Sequence, residues 1–181
     1  MITEIGHFAL ILAVGVALYQ FLAPLYGAQT GHAGLMRAGI SAALLQLVLI
    51  AVAFAALTHA YVVSDFSVSN VFENSHSAKP LLYKISGVWG NHEGSMLLWV
   101  LILALYGSAV ALFGGNLPLG LRARVLAVQG AIGLAFLLFI VLTSNPFLRI
   151  DPPPIEGNGL NPILQDPALA FHPPFLYAGY V

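Results

Sequence analysis

Residues 38–63, from Ala38 to Val63, read AGISAALLQLVLIAVAFAALTHAYVV and hold no Asp, Glu, Lys or Arg. At 1.5 Å of rise per residue, a helix of that length crosses the roughly 30 Å of hydrocarbon in a bilayer. Three more runs share this character: Phe8–Leu25, whose most polar member is Gln20, then Ser95–Phe113 and Val125–Thr143. In lipid the backbone must satisfy its own hydrogen bonds, and these runs are continuous rather than alternating, which excludes barrel strands. The sequence therefore predicts an all-α, polytopic membrane protein with four complete transmembrane helices at about 8–25, 40–63, 95–113 and 125–143. The competing reading, buried helices of a soluble bundle, would require polar outer faces that these runs lack.

The composition agrees. Of 181 residues, 59% are hydrophobic and 7% charged, as six Lys/Arg and seven Asp/Glu, against about 25% charged in an ordinary soluble domain. Disorder is excluded, because it needs low hydrophobicity and high charge. Nucleic acid is excluded as a partner, because six scattered cations build no basic patch. With no cysteine there is no disulfide framework, no Cys-ligated zinc and no thiol nucleophile.

Charge also predicts orientation. Met1–His7 carries Glu4 and no basic residue, so the first run is not a cleaved signal peptide. The short connectors, 27–39 and 114–124, hold Arg37, Arg122 and Arg124 and no acid. The long ones, 64–94 and 144–172, hold Lys79, Lys84 and Arg149 among six of the seven acids. Basic residues concentrate in cytoplasmic loops. The N-terminus and both long loops are therefore expected outside. Residues 173–181 begin a fifth apolar helix and stop far short of a span. Residues 1–181 are thus expected to be the N-terminal membrane portion of a longer protein.

Two polar groupings at the outer side carry candidate chemistry. The first is Trp89-Gly90-Asn91-His92-Glu93-Gly94-Ser95-Met96-Leu97-Leu98-Trp99. On a helix, Trp89, His92, Met96 and Trp99 would share a face. The tryptophans also suit an interfacial belt, whereas an adjacent His92 and Glu93 at a span entrance are costly unless paired or functional. A second His, as in a zinc-protease helix, is missing. The second grouping is Leu160 to Tyr180, where His172 is expected at the junction of an extended loop and a span, stiffened by Pro173 and Pro174. Held there, the imidazole would make an axial ligand for a flat apolar cofactor, with Phe171, Phe175, Tyr177 and Tyr180 as aromatic surface. A solvated loop histidine is the plain alternative. His7, His32, His59 and His76 are expected to be ordinary interfacial or loop residues.

The run Gln165-Asp166-Pro167 followed by His172-Pro173-Pro174-Phe175-Leu176-Tyr177-Ala178-Gly179-Tyr180 resembles the CcmF/NrfE family of haem-handling membrane proteins, as do Trp89–Ser95 and Glu4–Phe8. The resemblance extends over essentially the whole chain. It implies a bacterial inner-membrane haem lyase with periplasmic long loops. In such a protein, haem arrives on the chaperone CcmE and is joined by thioether bonds to the Cys-x-x-Cys-His motif of apocytochrome c. The subunits CcmH and CcmI handle the apoprotein. By motif, His172 matches the first of two periplasmic haem-ligating histidines, which makes it the expected haem-iron ligand, with Pro173, Pro174 and Tyr177 beside it. Trp89, His92, Glu93 and Trp99 form a secondary candidate set. The family's tryptophan-rich segment, second periplasmic histidine and membrane histidines, which hold a structural b-type haem, have no counterpart here. The 181 residues are therefore expected to be inactive alone. The substrate's thiols supply the nucleophile, which suits a chain without cysteine. A non-catalytic scaffold and a transporter-like subunit are the alternatives. The latter calls for charged residues within the spans, and there are none.

Overall fold

A computed structural model describes every residue from Met1 to Val181. Seven helices follow one another: α1 Ile2–Thr30, α2 Ala33–Val62, α3 Ser69–Asn74, α4 Leu81–Gly87, α5 His92–Phe113, α6 Leu119–Thr143 and α7 Pro167–Tyr180. There is no β-strand. Helices α1, α2, α5 and α6 are long and apolar enough to cross a membrane.

Each long helix overruns the apolar run that announces it, because a helix ends at its cap and not at the last apolar residue. His32 starts α2, its Nδ1 accepting from the Leu35 N–H at 3.3 Å. Asn91 caps α5, which begins at His92, three residues before the expected Ser95, with Oδ1 accepting from the Gly94 N–H at 2.8 Å. The expected loop 64–94 also contains α3 and α4. The fifth helix starts at Pro167 and not Pro173. Asp166 caps it, with Oδ1 accepting from Ala168 and Leu169 at 2.9 and 3.1 Å, and proline suits the first helical position.

The four long helices form a bundle in which α2 touches α1, α5 and α6, while α1 and α5 each also pack on α6. Lipid tails provide no hydrophobic drive between helices, so close backbone approach must supply the contact. The buried interface residues are accordingly small: Ala9, Ala13 and Ala17 on α1, with Ala53, Ala56 and Ala60 on α2. At Gly130 of α6 a Cβ would sit 2.8 Å from the Phe21 backbone nitrogen, so only glycine permits this α1–α6 crossing. Outward faces carry Phe8, Leu105, Phe113 and Leu142 exposed, as a lipid-facing surface requires.

The two ends of the bundle differ. The turn end holds the α1–α2 and α5–α6 connections with Arg37, Arg122 and Arg124. The loop end gathers the N-terminus and both long connectors. There Arg149 ties Glu4 to Asp65 (Nη1 to Oδ2 3.1 Å), and His7 pairs with Asn145 at 2.9 Å. The connectors also bond to each other, Ser69 N–H to Leu148 O and Ile150 N–H to Ser67 O, both at 2.9 Å. Burial alone would raise the Asp65 carboxyl, but hydrogen bonds from Ser67 and Arg149 hold it below its usual range.

Candidate functional site

The segment between α4 and α5 is built around Asn91. Its Oδ1 caps α5 and also accepts from Asn70 Nδ2 at 2.8 Å. Its Nδ2 faces three acceptors: Tyr61 Oη at 3.0 Å, Gly87 O at 2.8 Å and Val88 O at 3.2 Å. Tyr61 Oη donates to Asn70 Oδ1 at 2.7 Å. Asn70 Nδ2 also reaches Glu93 Oε2 at 3.1 Å. One network thus joins α2, α3, the end of α4 and the start of α5. Gly94 completes it, since a Cβ there would fall on the Val88 carbonyl oxygen. Glu93 is therefore a hydrogen-bonded member of this cap. His92, beside it in sequence, turns the other way, with Nε2 3.1 Å from Ser144 Oγ and its ring edge-on to Phe139. The two are not paired with each other. Nearby, burial and then the neighbouring Lys84 push Lys79 down to about 8, and its Nζ donates to Asn74 O at 3.1 Å.

Helix α7 lies against α5 and α4. Its odd feature is the pair Pro173-Pro174 in mid-helix. His172 is therefore helical, not an extended residue ahead of a span. Pro174 has no N–H to give the Ala170 carbonyl one turn earlier, and a buried carbonyl needs a donor. Trp89 supplies it, with Nε1–H donating to Ala170 O at 2.8 Å. The Trp89 ring stacks on Phe54 of α2 at 6.4 Å. Trp89 thus links the bundle to α7. Further along, Tyr106 Oη donates to Ala178 O at 3.0 Å.

Between α5 and α7 runs a cleft. Its mouth, about 300 Å³, is lined by Trp89, His92, Ser95, Ala170, Pro173 and Tyr177 among others. A second compartment of about 200 Å³ continues along Ser95, Met96, Trp99, Tyr177 and Tyr180. The fold thus brings together most of both sequence groupings: Trp89, His92 and Trp99 from one, Pro173 and Tyr177 from the other. His172 is outside the cleft. It lies on the opposite side of α7 from Ala170, exposed, with Phe171 and Phe175 exposed on one flank of it. The other histidines separate by their partners. His7, His32, His76 and His92 each have a ring nitrogen engaged. The imidazoles of His172 and His59 make no hydrogen bond, whereas the His59 backbone carbonyl accepts from Val63 N–H.

Tyr61, Asn70 and Asn91 are the residues that sequence reading did not single out. Asn91 carried a legible signal, an Asn placed just before a helical run as an N-cap. Tyr61 and Asn70 carried none, because their role depends on contacts between distant segments.

A multi-pass, all-helical membrane bundle with an aromatic cleft at its loop end is the class these features define. The chain belongs to the cytochrome C assembly protein family, whose model matches residues 89–181. Over its entire length it is 67% identical to the cytochrome c-type biogenesis protein ccl1 of Rhodobacter capsulatus and 49% identical to the cytochrome c-type biogenesis protein CcmF of Escherichia coli K12. It spans 28% of the length of each. A solved structure, the cytochrome c haem lyase CcmF, superposes with a TM-score of 0.75 at 25% identity, covering 81% of this chain and 25% of that one.

Proposed function

We propose that this chain is the N-terminal membrane portion of a haem lyase of cytochrome c biogenesis, and that His172 is an axial ligand to the haem being transferred. The observation that carries the reading is the free imidazole of His172. Four of the other five histidines have a ring nitrogen engaged, whereas His172 stands unbonded on an exposed face with Phe171 and Phe175 beside it. That face suits a flat apolar macrocycle coordinated from one side. His172 is the one histidine of α7, and in this reading the second axial ligand comes from another part of the longer protein or from a partner. Pro173, Pro174 and Tyr177 set the α7 geometry that presents His172. Trp89, just ahead of α5, braces that helix through its bond to Ala170 O, His92 and Trp99 line the cleft beside it, and Glu93 holds the start of α5 through Asn70.

In this reading haem is substrate. It comes from the chaperone CcmE and leaves on apocytochrome c, delivered with CcmH and CcmI. Each substrate thiol adds across a haem vinyl group, sulfur to one carbon and hydrogen to the other, so no leaving group is formed. The chain's own task is to hold and orient. In the full-length protein, His172→Ala is expected to remove the absorption of haem at the outer site. It should also lower cytochrome yield about tenfold or more, since one iron–imidazole bond exceeds the 1.4 kcal/mol that a factor of ten represents. An unchanged spectrum with normal yield would leave the chain as a scaffold only.

The reading also places the loop end in the periplasm of a bacterial inner membrane, because Arg37, Arg122 and Arg124 all lie at the opposite end. Native cysteine is absent, so single cysteines report cleanly. One at Asn158 should react with an impermeant thiol reagent added outside, and one at Asn116 should not. Labelling of Asn116 alone would invert the orientation.

A further inference from the structure

The apolar runs within the four long helices carry no formal charge, but three of them carry a glutamine: Gln20 on α1, Gln46 on α2 and Gln129 on α6. All three line one cavity inside the bundle, together with Gly107 of α5. Gln20 and Gln46 are only 4% and 5% exposed. Gln20 Nε2 donates to Leu126 O at 3.1 Å, which fixes its amide and leaves Oε1 facing no donor. Gln129 Oε1 is likewise buried without a donor, and Gln46 has no partner at either Oε1 or Nε2. Buried amides in a native structure are paired with protein or with water. No protein group serves here.

The geometry points to an internal water site at this cavity, in which a bound water bridges Gln46 to Gln20 and Gln129. The size agrees: about 20 Å³ is open to the centres of water molecules, and one water needs roughly 10–15 Å³ on that measure. The chemistry agrees as well. The two O–H groups of water match stranded amide oxygens, and its own oxygen matches the Gln46 Nε2–H. A cation is disfavoured, because no Asp or Glu lines the cavity to balance it. The cavity also has neighbouring compartments. The cavity shares Val100 and Leu103 with a compartment lined by Trp99 and Tyr180. That compartment shares Trp99 and Tyr180 with the α5–α7 cleft, which opens at the loop end. Trp99 Nε1, between these compartments in the lining they share, is itself buried without an acceptor. The site is independent of the haem reading, since it involves none of the residues around His172.

Water-edited solid-state NMR of the protein in lipid bilayers tests this directly. Magnetisation transferred from water should reach the side-chain amides of Gln20, Gln46 and Gln129 several-fold faster than it reaches Ile50 and Ala17, which line the same cavity. Gln46→Leu should slow the transfer to Gln20 and Gln129 to the rate of those apolar neighbours. Should that variant fail to fold, Gln129→Leu, at a half-buried position, should slow the transfer to Gln20 and Gln46. Amides as slow as Ile50 in the unmodified protein would overturn the site. So would fast transfer to Gln20 that survives the loss of its bridging partner.

Discussion

Asn91→Ala is expected to destabilise the protein by about 3 kcal/mol, measured by thermal or denaturant unfolding in detergent. The size follows from what the side chain does. As an N-cap alone it is worth about 1 kcal/mol. Its removal also takes away the donor that faces Tyr61 Oη, Gly87 O and Val88 O, and one of the acceptors of Asn70 Nδ2. A buried polar group left unpaired costs about 1–3 kcal/mol, and the groups are coupled, so the losses do not simply add. Asn91→Ser separates the two roles, because serine caps but cannot reach the network; it should recover about 1 kcal/mol. Gly94→Ala should approach the loss at Asn91 by a different route, forcing the start of α5 away from the Val88 carbonyl. Asn116→Ala, exposed at the turn end, serves as the neutral control. A loss below about 1 kcal/mol at Asn91 would show that the network is not what seats α5.

The difference between what the sequence announces and what it hides follows from this. Absence of charge over Ala38–Val63 depends on the solvent alone, so all four spans could be read from composition. Their ends depend on capping by single residues, His32 and Asn91, and were placed less well. Helices α3 and α4 are too short to show a period, and α3 is held by bonds such as Asn70 Nδ2–Asn91 Oδ1, between residues well separated in sequence. The case of α7 is different again. Pro173-Pro174 disfavours helix locally, which is why His172 reads as a loop residue. Asp166 and Trp89 override that preference, one by starting the helix and the other by donating to the carbonyl that Pro174 leaves free. The candidate residues were legible as types, but the division between the cleft-facing Pro173 and Tyr177 and the outward-facing His172 required the helix.

That division makes Trp89 the residue on which α7 depends. Trp89→Ala removes both the N–H that satisfies Ala170 O and the ring stacked on Phe54. Local opening of α7 should become easier by about 3 kcal/mol, combining a truncated aromatic with a stranded carbonyl. Amide exchange in Ala170–Tyr177 should then accelerate roughly 100-fold, while α1, α2 and α6 keep their protection. Trp89→Phe keeps the ring and loses only the hydrogen bond, so about 1 kcal/mol and roughly fivefold faster exchange are expected. Equal loss of protection in every helix would make Trp89 a general core residue, and unchanged exchange in Trp89→Phe would remove the indole N–H from the account. The same pair bears on function. If His172 binds haem from a helix held by Trp89, Trp89→Phe in the full-length protein should weaken haem binding at the outer site while leaving the imidazole and its absorption spectrum in place. His172→Ala should abolish that spectrum. A positioning residue changes how often the ligand is presented, and the ligand itself decides whether the iron is bound at all.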